Sequence, residues 1–277
     1  MKNMVDLLHN VNIQDIAIIS SFLLLNLFIG IYFSRGIANL KEYALGGRNF
    51  STGTLTATIV ATWMAGSTVP FVAYETHQNG LYFIIPCIAD GLSFLIVAYF
   101  LAPRMAEFLG NLSIAEAMGD MFGTKIRAIT ALSGMLPAIG TIAMQFTILS
   151  ALLTNFIGMS GFYAVLLSSA VVIIYSTFGG IKAVTFTDVV QFFTFGVIIP
   201  VTAFCIWLAI DNNAIVVLKV LETHPIFDFS KVLDFKDARF VSAVFLFLFF
   251  LIPSLDPAHF QRVSMARNVK QAMKSLL

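Results

Sequence analysis

Long, uninterrupted runs of apolar residues alternate along this chain with short stretches that carry most of the charge. Seven runs reach or approach the roughly 20 residues that a helix needs to cross a bilayer: 14–33, 51–73, 81–102, 125–152, 162–178, 185–210 and 239–257. They are continuously apolar and lack the alternating pattern of barrel strands, so each predicts a helix. The expected fold class is all-α, a polytopic membrane helix bundle. Two polar stretches also carry helical signals. Ser113-Ile-Ala-Glu116 has capping-box spacing and opens a short helix that Gly123 can close. In 258–277, Phe260, Val263, Ala266, Val269, Met273 and Leu276 recur at helical spacing, with Arg262, Arg267, Lys270 and Lys274 mostly on other faces. That tail reads as a cytoplasmic amphipathic helix at the membrane surface, with a calmodulin-like partner as the alternative.

Two runs are interrupted. Ala61-Thr-Trp-Met-Ala-Gly-Ser-Thr68, followed by Pro70, puts small and hydroxylated residues at the middle of the second span. Backbone freed at that depth is tolerated only against protein or a water-filled cavity, which points to a solute or ion site at a broken helix. Close helix packing is the competing explanation, because small residues also let two helices approach. The seventh span carries Leu251-Ile-Pro-Ser-Leu-Asp-Pro257, whose two prolines each remove a backbone hydrogen bond. There, Ser254 and Asp256 either line a cavity or satisfy freed backbone groups.

Composition sharpens this picture. With 58% hydrophobic and 11% charged residues, the chain lies far from the roughly 25% charge of soluble domains. The net charge of +1 offers no basic face, so nucleic acid is not an expected partner. The N-terminus has no basic region with a cleavage site, and no removable signal peptide is expected. The basic residues set the orientation. With the N-terminus outside, the inner loops and tail hold Arg35, Lys41, Arg48, Arg104, Lys125, Arg127, Lys182, Arg262, Arg267, Lys270 and Lys274, eleven of the sixteen. The C-terminus is then cytoplasmic.

Polar residues inside spans are the candidate chemistry. Asp90 lies about halfway along the third span, where an ionised carboxylate is costly and faces a cavity or partner, and Ser93 shares its face. The alternative is an aspartate that only ties helices together. Asp188 ends Thr185-Phe-Thr-Asp188, which has capping-box spacing, so it reads either as a helix cap or, with Gln191, as part of a cation path. Cys87 and Cys205 fall inside apolar runs and read as packing residues. His9, His77, His224 and His259 show no paired spacing, and no hydrolase elbow, zinc motif or phosphate loop is present, so neither a metal centre nor an enzyme is expected.

At these residues the chain resembles the sodium:solute symporter family. The resemblance is carried by Tyr43-Ala-Leu-Gly-Gly-Arg48, Ala61 to Ser67, Ser113 to Glu116, the long stretch from Tyr175 to Gln191, and Gln261-Arg262 with Ala266-Arg267. It implies the inverted-repeat, leucine-transporter-type fold in a single membrane domain over 1–277. In that scheme 14–33 is an extra N-terminal helix, 51–210 a first five-helix repeat, and 239–257 the first helix of an incomplete second repeat. It further implies that the backbone carbonyls of Ala61 and Met64 hold half of a sodium site. Gly66, Ser67 and Thr68 would be substrate-cavity residues, with Asp90 near a family polar position and Asp188 matching an aspartate linked to cation transit. Trp63 departs from the family, where a small polar or acidic residue is usual.

The expected function is therefore sodium-coupled symport of a small polar organic solute, with Na+ as coupling ion, no organic cofactor, and the lipid bilayer as surroundings. The chain is read as a truncated or split symporter, and a second chain supplying the missing helices is a possible partner. A transporter-like membrane sensor and a non-functional remnant are the alternatives.

Overall fold

The computed structural model describes residues 13–33, 37–64, 66–210, 214–228, 234–253 and 256–277. Lys2, His9, Arg35, Lys231 and the candidate cavity residue Ser254 lie outside the described residues. No strand occurs among those described. The helices are α1 (Ile13–Phe33), α2 (Leu40–Leu45), α3 (Thr52–Trp63), α4 (Thr68–Asn79), α5 (Ile84–Ile96), α6 (Ile114–Phe122), α7 (Thr124–Ile157), α8 (Gly161–Ala209), α9 (Ala214–Thr223), α10 (Ala238–Leu251), α11 (Pro257–Ser264) and α12 (Val269–Leu276). A π turn over Val97–Leu101 and a 3-10 segment over Ala102–Phe108 extend α5.

Among the described residues, four stretches are long and apolar enough to cross a membrane, Ile16–Phe33, Thr68–Phe108, Thr124–Asn155 and Ser176–Ala209, with Gly161–Ile174 and Ala238–Leu251 shorter. The seven runs are recovered with the second and seventh broken, which is why neither counts as a continuous span. Within Thr68–Phe108 the chain leaves the helix at Gly80, whose φ of 53° suits a residue without a Cβ.

The expected fifth and sixth spans meet at Gly180 (φ 53°, ψ −159°), where the backbone is not helical, so α8 is two helices joined across a kink. A Cβ there would lie 2.9 Å from both the carbonyl oxygen and ring of Tyr43, so α2 packs directly on the bend. The Lys182 ammonium, 2.8 Å from Glu42, secures this contact and holds the Glu42 carboxyl below its usual range. Because the helix resumes at the bend, Thr185 and Asp188 fall in its interior. The capping-box reading of Asp188 is thereby corrected. The cap at Ser113 does form: its hydroxyl accepts the Glu116 N–H at 3.2 Å, the Glu116 carboxylate accepts from the Leu112 N–H rather than that of Ser113, and Gly123 ends α6.

α1 packs along α8, α10 along α5, α6 against α7, and α3 against α8. The hydrophobic core lies at one end, where Leu45, Phe50, Leu55, Ala102 and Ile181 meet Val263, Met265, Ala266 and Ala272. The reading of 258–277 as one helix is corrected. The stretch forms two helices, and their apolar positions pack on α3 and on 102–108. Arg48 explains part of the docking, since its guanidinium donates to the carbonyls of Leu109, Ala266 and Arg267. Gln271 donates to Phe50 O at 2.9 Å and Gln261 to Ala44 O at 2.8 Å.

Candidate functional site

The first break forms where the residue types stop favouring a continuous helix. Ser51 caps α3 by accepting the Thr54 N–H at 3.1 Å, and Leu55, Ala57, Thr58, Ile59 and Ala61 are buried. Met64 (φ −80°, ψ 64°) leaves the helix, and its N–H closes on Val60 O at 2.9 Å. Ala61 and Met64 thus lie in a terminal turn, the part of a helix whose carbonyls lack intrahelical donors. Regular helix resumes at Thr68, whose hydroxyl reaches back to Trp63 O at 3.4 Å. Pro70 falls in the first turn of α4, where a missing N–H costs nothing. A Cβ on Gly66 would sit 3.1 Å from Gln145 Oε1, so the break backs onto the middle of α7.

The second break opposes it. α10 ends at Leu251, and Ile252 is extended. α11 opens at Pro257 with Asp256 as its cap, accepting from the N–H of Ala258 at 2.7 Å and of His259 at 3.2 Å. Asp256 thus satisfies backbone groups, and it also lines a cavity described below. α7 also flanks this break: a Cβ on Gly134 would lie 3.1 Å from the Pro257 ring.

Between the breaks lies a cavity of about 590 Å³, lined by Trp63, Ser67 and Thr68 from the first, Phe249, Phe250 and Ile252 from the second, and Asp90 from α5. The Trp63 indole N–H donates to Asp90 Oδ2 at 2.9 Å. Ser93, expected to share the face of Asp90, is buried and donates to the Asp90 carbonyl at 2.7 Å. It lines a second space of about 100 Å³ together with Trp63, Asp256 and His259. Trp63 stands between the two spaces, edge-on to Phe94 at 4.8 Å and to His259 at 4.7 Å.

The structure therefore brings Ser67, Thr68 and Asp90 together. Gly66 lies against α7, and Ala61 and Met64 shape the break without lining either space. Cys87 is exposed and lines the larger cavity, and Cys205 is exposed, so neither packs in a core. Asp188 belongs to a separate cluster. Its Oδ2 accepts from the Thr58 hydroxyl and lies 3.3 Å from Arg262 Nη2, and Arg262 Nε donates to the same hydroxyl at 3.0 Å. All three residues are buried.

Three residues were given no site role by the sequence. Gln145 is a polar amide deep in a span, a signal that was present. His259 gave none and Trp63 only its departure from the family pattern, because what matters in each is a contact across helices.

The sequence model of the sodium:solute symporter family matches residues 43–277. High-affinity choline transporter 1 of Drosophila melanogaster is 29% identical over 187 residues, 66% of this chain and 30% of that protein. The sodium/sialic acid symporter SiaT of Proteus mirabilis (strain HI4320) is 27% identical over 184 residues, 66% of this chain and 37% of that protein. A solved substrate-bound, outward-open Na+-coupled sialic acid symporter superposes with a TM-score of 0.80 at 23% identity, covering 96% of this chain and 56% of that one. The likeness shows the all-helical, leucine-transporter-type fold. The matched region thus spans about a third of those two curated relatives.

Proposed function

Because this chain belongs to the sodium:solute symporter family and is an integral membrane protein, we propose that it couples inward movement of Na+ to uptake of a small organic solute. The observation that carries the reading is a cavity of about 590 Å³ lined from both helix breaks. Broken helices place unpaired backbone at membrane depth, where it can exchange for an ion's hydration shell, and their opposed halves can rock about a fixed site.

In this reading the carbonyls of Ala61 and Met64 meet the sodium ion, and Ser67, Thr68 and Asp90 meet the solute. Gly66 lets the break approach α7, and Asp188 lies on the path by which the cation leaves. The N-terminus is outside and the C-terminus cytoplasmic. The solved symporter extends beyond the matched region, and the working transporter draws the remaining ion ligands from such helices, whether in the same polypeptide or in a second one. A tenfold sodium gradient and an inside-negative potential near 100 mV supply roughly 1.4 plus 2.3 kcal/mol per ion, enough to drive accumulation.

The test is uptake of labelled solutes into vesicles holding the transporter, with sodium replaced by potassium. Sodium-dependent accumulation supports the reading, and uptake indifferent to sodium overturns it.

A further inference from the structure

We propose that the cavity between the two breaks takes an organic cation, a substituted ammonium, with Asp90 as its counter-ion. The proposal rests on the reading of this cavity as the solute site.

Charge comes first. Among the described residues, Asp90 is the only charged side chain lining the cavity. Among the described residues its carboxylate accepts one hydrogen bond, from Trp63, and forms no ion pair. A carboxylate at mid-span without a counter-charge is expensive, and a bound cation removes that expense.

The rest of the lining says which kind of cation. Trp63, Phe71, Phe83, Phe249 and Phe250 line the cavity with the carboxylate, and among the described residues Ser67 and Thr68 supply its side-chain hydroxyls. A bare metal ion needs a shell of several oxygens, whereas the described side chains of this wall are mostly rings. A substituted ammonium spreads its charge over alkyl groups that rest on ring faces, where the quadrupole of each ring attracts them. The volume of about 590 Å³ is that of a small-molecule site.

Backbone dipoles lean the same way. α3 ends at Trp63 and α10 at Leu251, so two helix C-termini, with their partial negative charge, border the cavity. One N-terminus, that of α4 at Ser67 and Thr68, opposes them. The hydrogen bond from Trp63 leaves the other Asp90 oxygen for the ammonium and fixes the indole beside it.

The experiment is equilibrium binding of radiolabelled tetramethylammonium to the purified full chain in sodium buffer. Saturable binding is expected, displaced by unlabelled tetramethylammonium and unaffected by equal concentrations of acetate or glycerol. Asp90→Asn should weaken it by roughly thirtyfold or more, whereas Asp90→Glu, which keeps the charge, retains most of the affinity. Phe249→Leu changes a largely exposed ring, so it tests the aromatic wall without burdening the fold, and should weaken binding by about fivefold. No saturable binding, affinity unchanged in Asp90→Asn, or equal displacement by acetate overturns the proposal. Vesicle uptake separates it from the symport reading. Sodium-driven uptake of an anionic or neutral solute that tetramethylammonium does not inhibit overturns the cation site and leaves symport standing. Asp90-dependent binding with no sodium-linked uptake does the reverse.

Discussion

Arg262 Nη2 lies 3.3 Å from Asp188 Oδ2, and both residues are buried although 74 positions separate them. The pair ties α11, just past the second break, to the interior of α8, and Thr58 of α3 bonds to both partners. Removing one member leaves the other charge buried and uncompensated. Arg262→Leu should therefore destabilise the protein by about 3–5 kcal/mol, read as a lower midpoint of thermal unfolding in detergent. The double variant Asp188→Asn/Arg262→Gln should recover part of the loss. An unchanged midpoint in Arg262→Leu would mean that the pair contributes nothing to the fold.

Ser67 directly precedes α4 and lines the larger cavity. Ser67→Leu should fill that space and abolish uptake while membrane insertion, followed by protein level in the membrane fraction, stays normal. Unchanged uptake would return Ser67 to a packing role.

Trp63 separates the two spaces, and Ser93 lines only the smaller one. Shortening the indole should join them. With Cys87 and Cys205 replaced by serine, a cysteine substituted for Ser93 should react faster with a membrane-impermeant thiol reagent in Trp63→Ala than with Trp63 present. Equal rates would show that the indole is no barrier.

Gly180 holds a backbone conformation that other residues rarely adopt, and a Cβ there would press on Tyr43. Gly180→Ala should cost at least about 1–3 kcal/mol through strain alone. It should also release α2 from the bend, seen as faster proteolysis near Leu40–Leu45.

Asp237 caps α10 and pairs with Arg239 at 2.8 Å, and hydrogen bonds from Arg239 hold its carboxyl down to about 2. A depressed carboxyl stabilises the fold above its unfolded value, near 3.9, and loses that contribution as pH falls toward about 2. The difference in thermal midpoint between the protein and Asp237→Asn should hold steady from pH 8 to about 5 and shrink below about 4. A difference that varied across neutral pH would point to another group.

What the sequence determined by itself was the set of helices and the places where two of them fail. Hydrocarbon leaves an isolated chain segment only the helix, so continuous apolar runs specify spans directly. Ala61 to Thr68 and Leu251 to Pro257 announce their breaks because small residues and prolines weaken a helix locally, whatever surrounds them. What the sequence left undecided was partnership. A helix such as α8 is apolar nearly all round, and without a polar stripe nothing in its pattern says which face meets which neighbour. Helix rotation and crossing are settled by packing, and only packing brought Trp63 to Asp90, Gln145 to Gly66 and Asp188 to Arg262. The same cause set the apolar positions of 258–277 against protein. Its amphipathic pattern is real, and tertiary structure decided that the apolar side faces Leu55 and Ala102 instead of lipid.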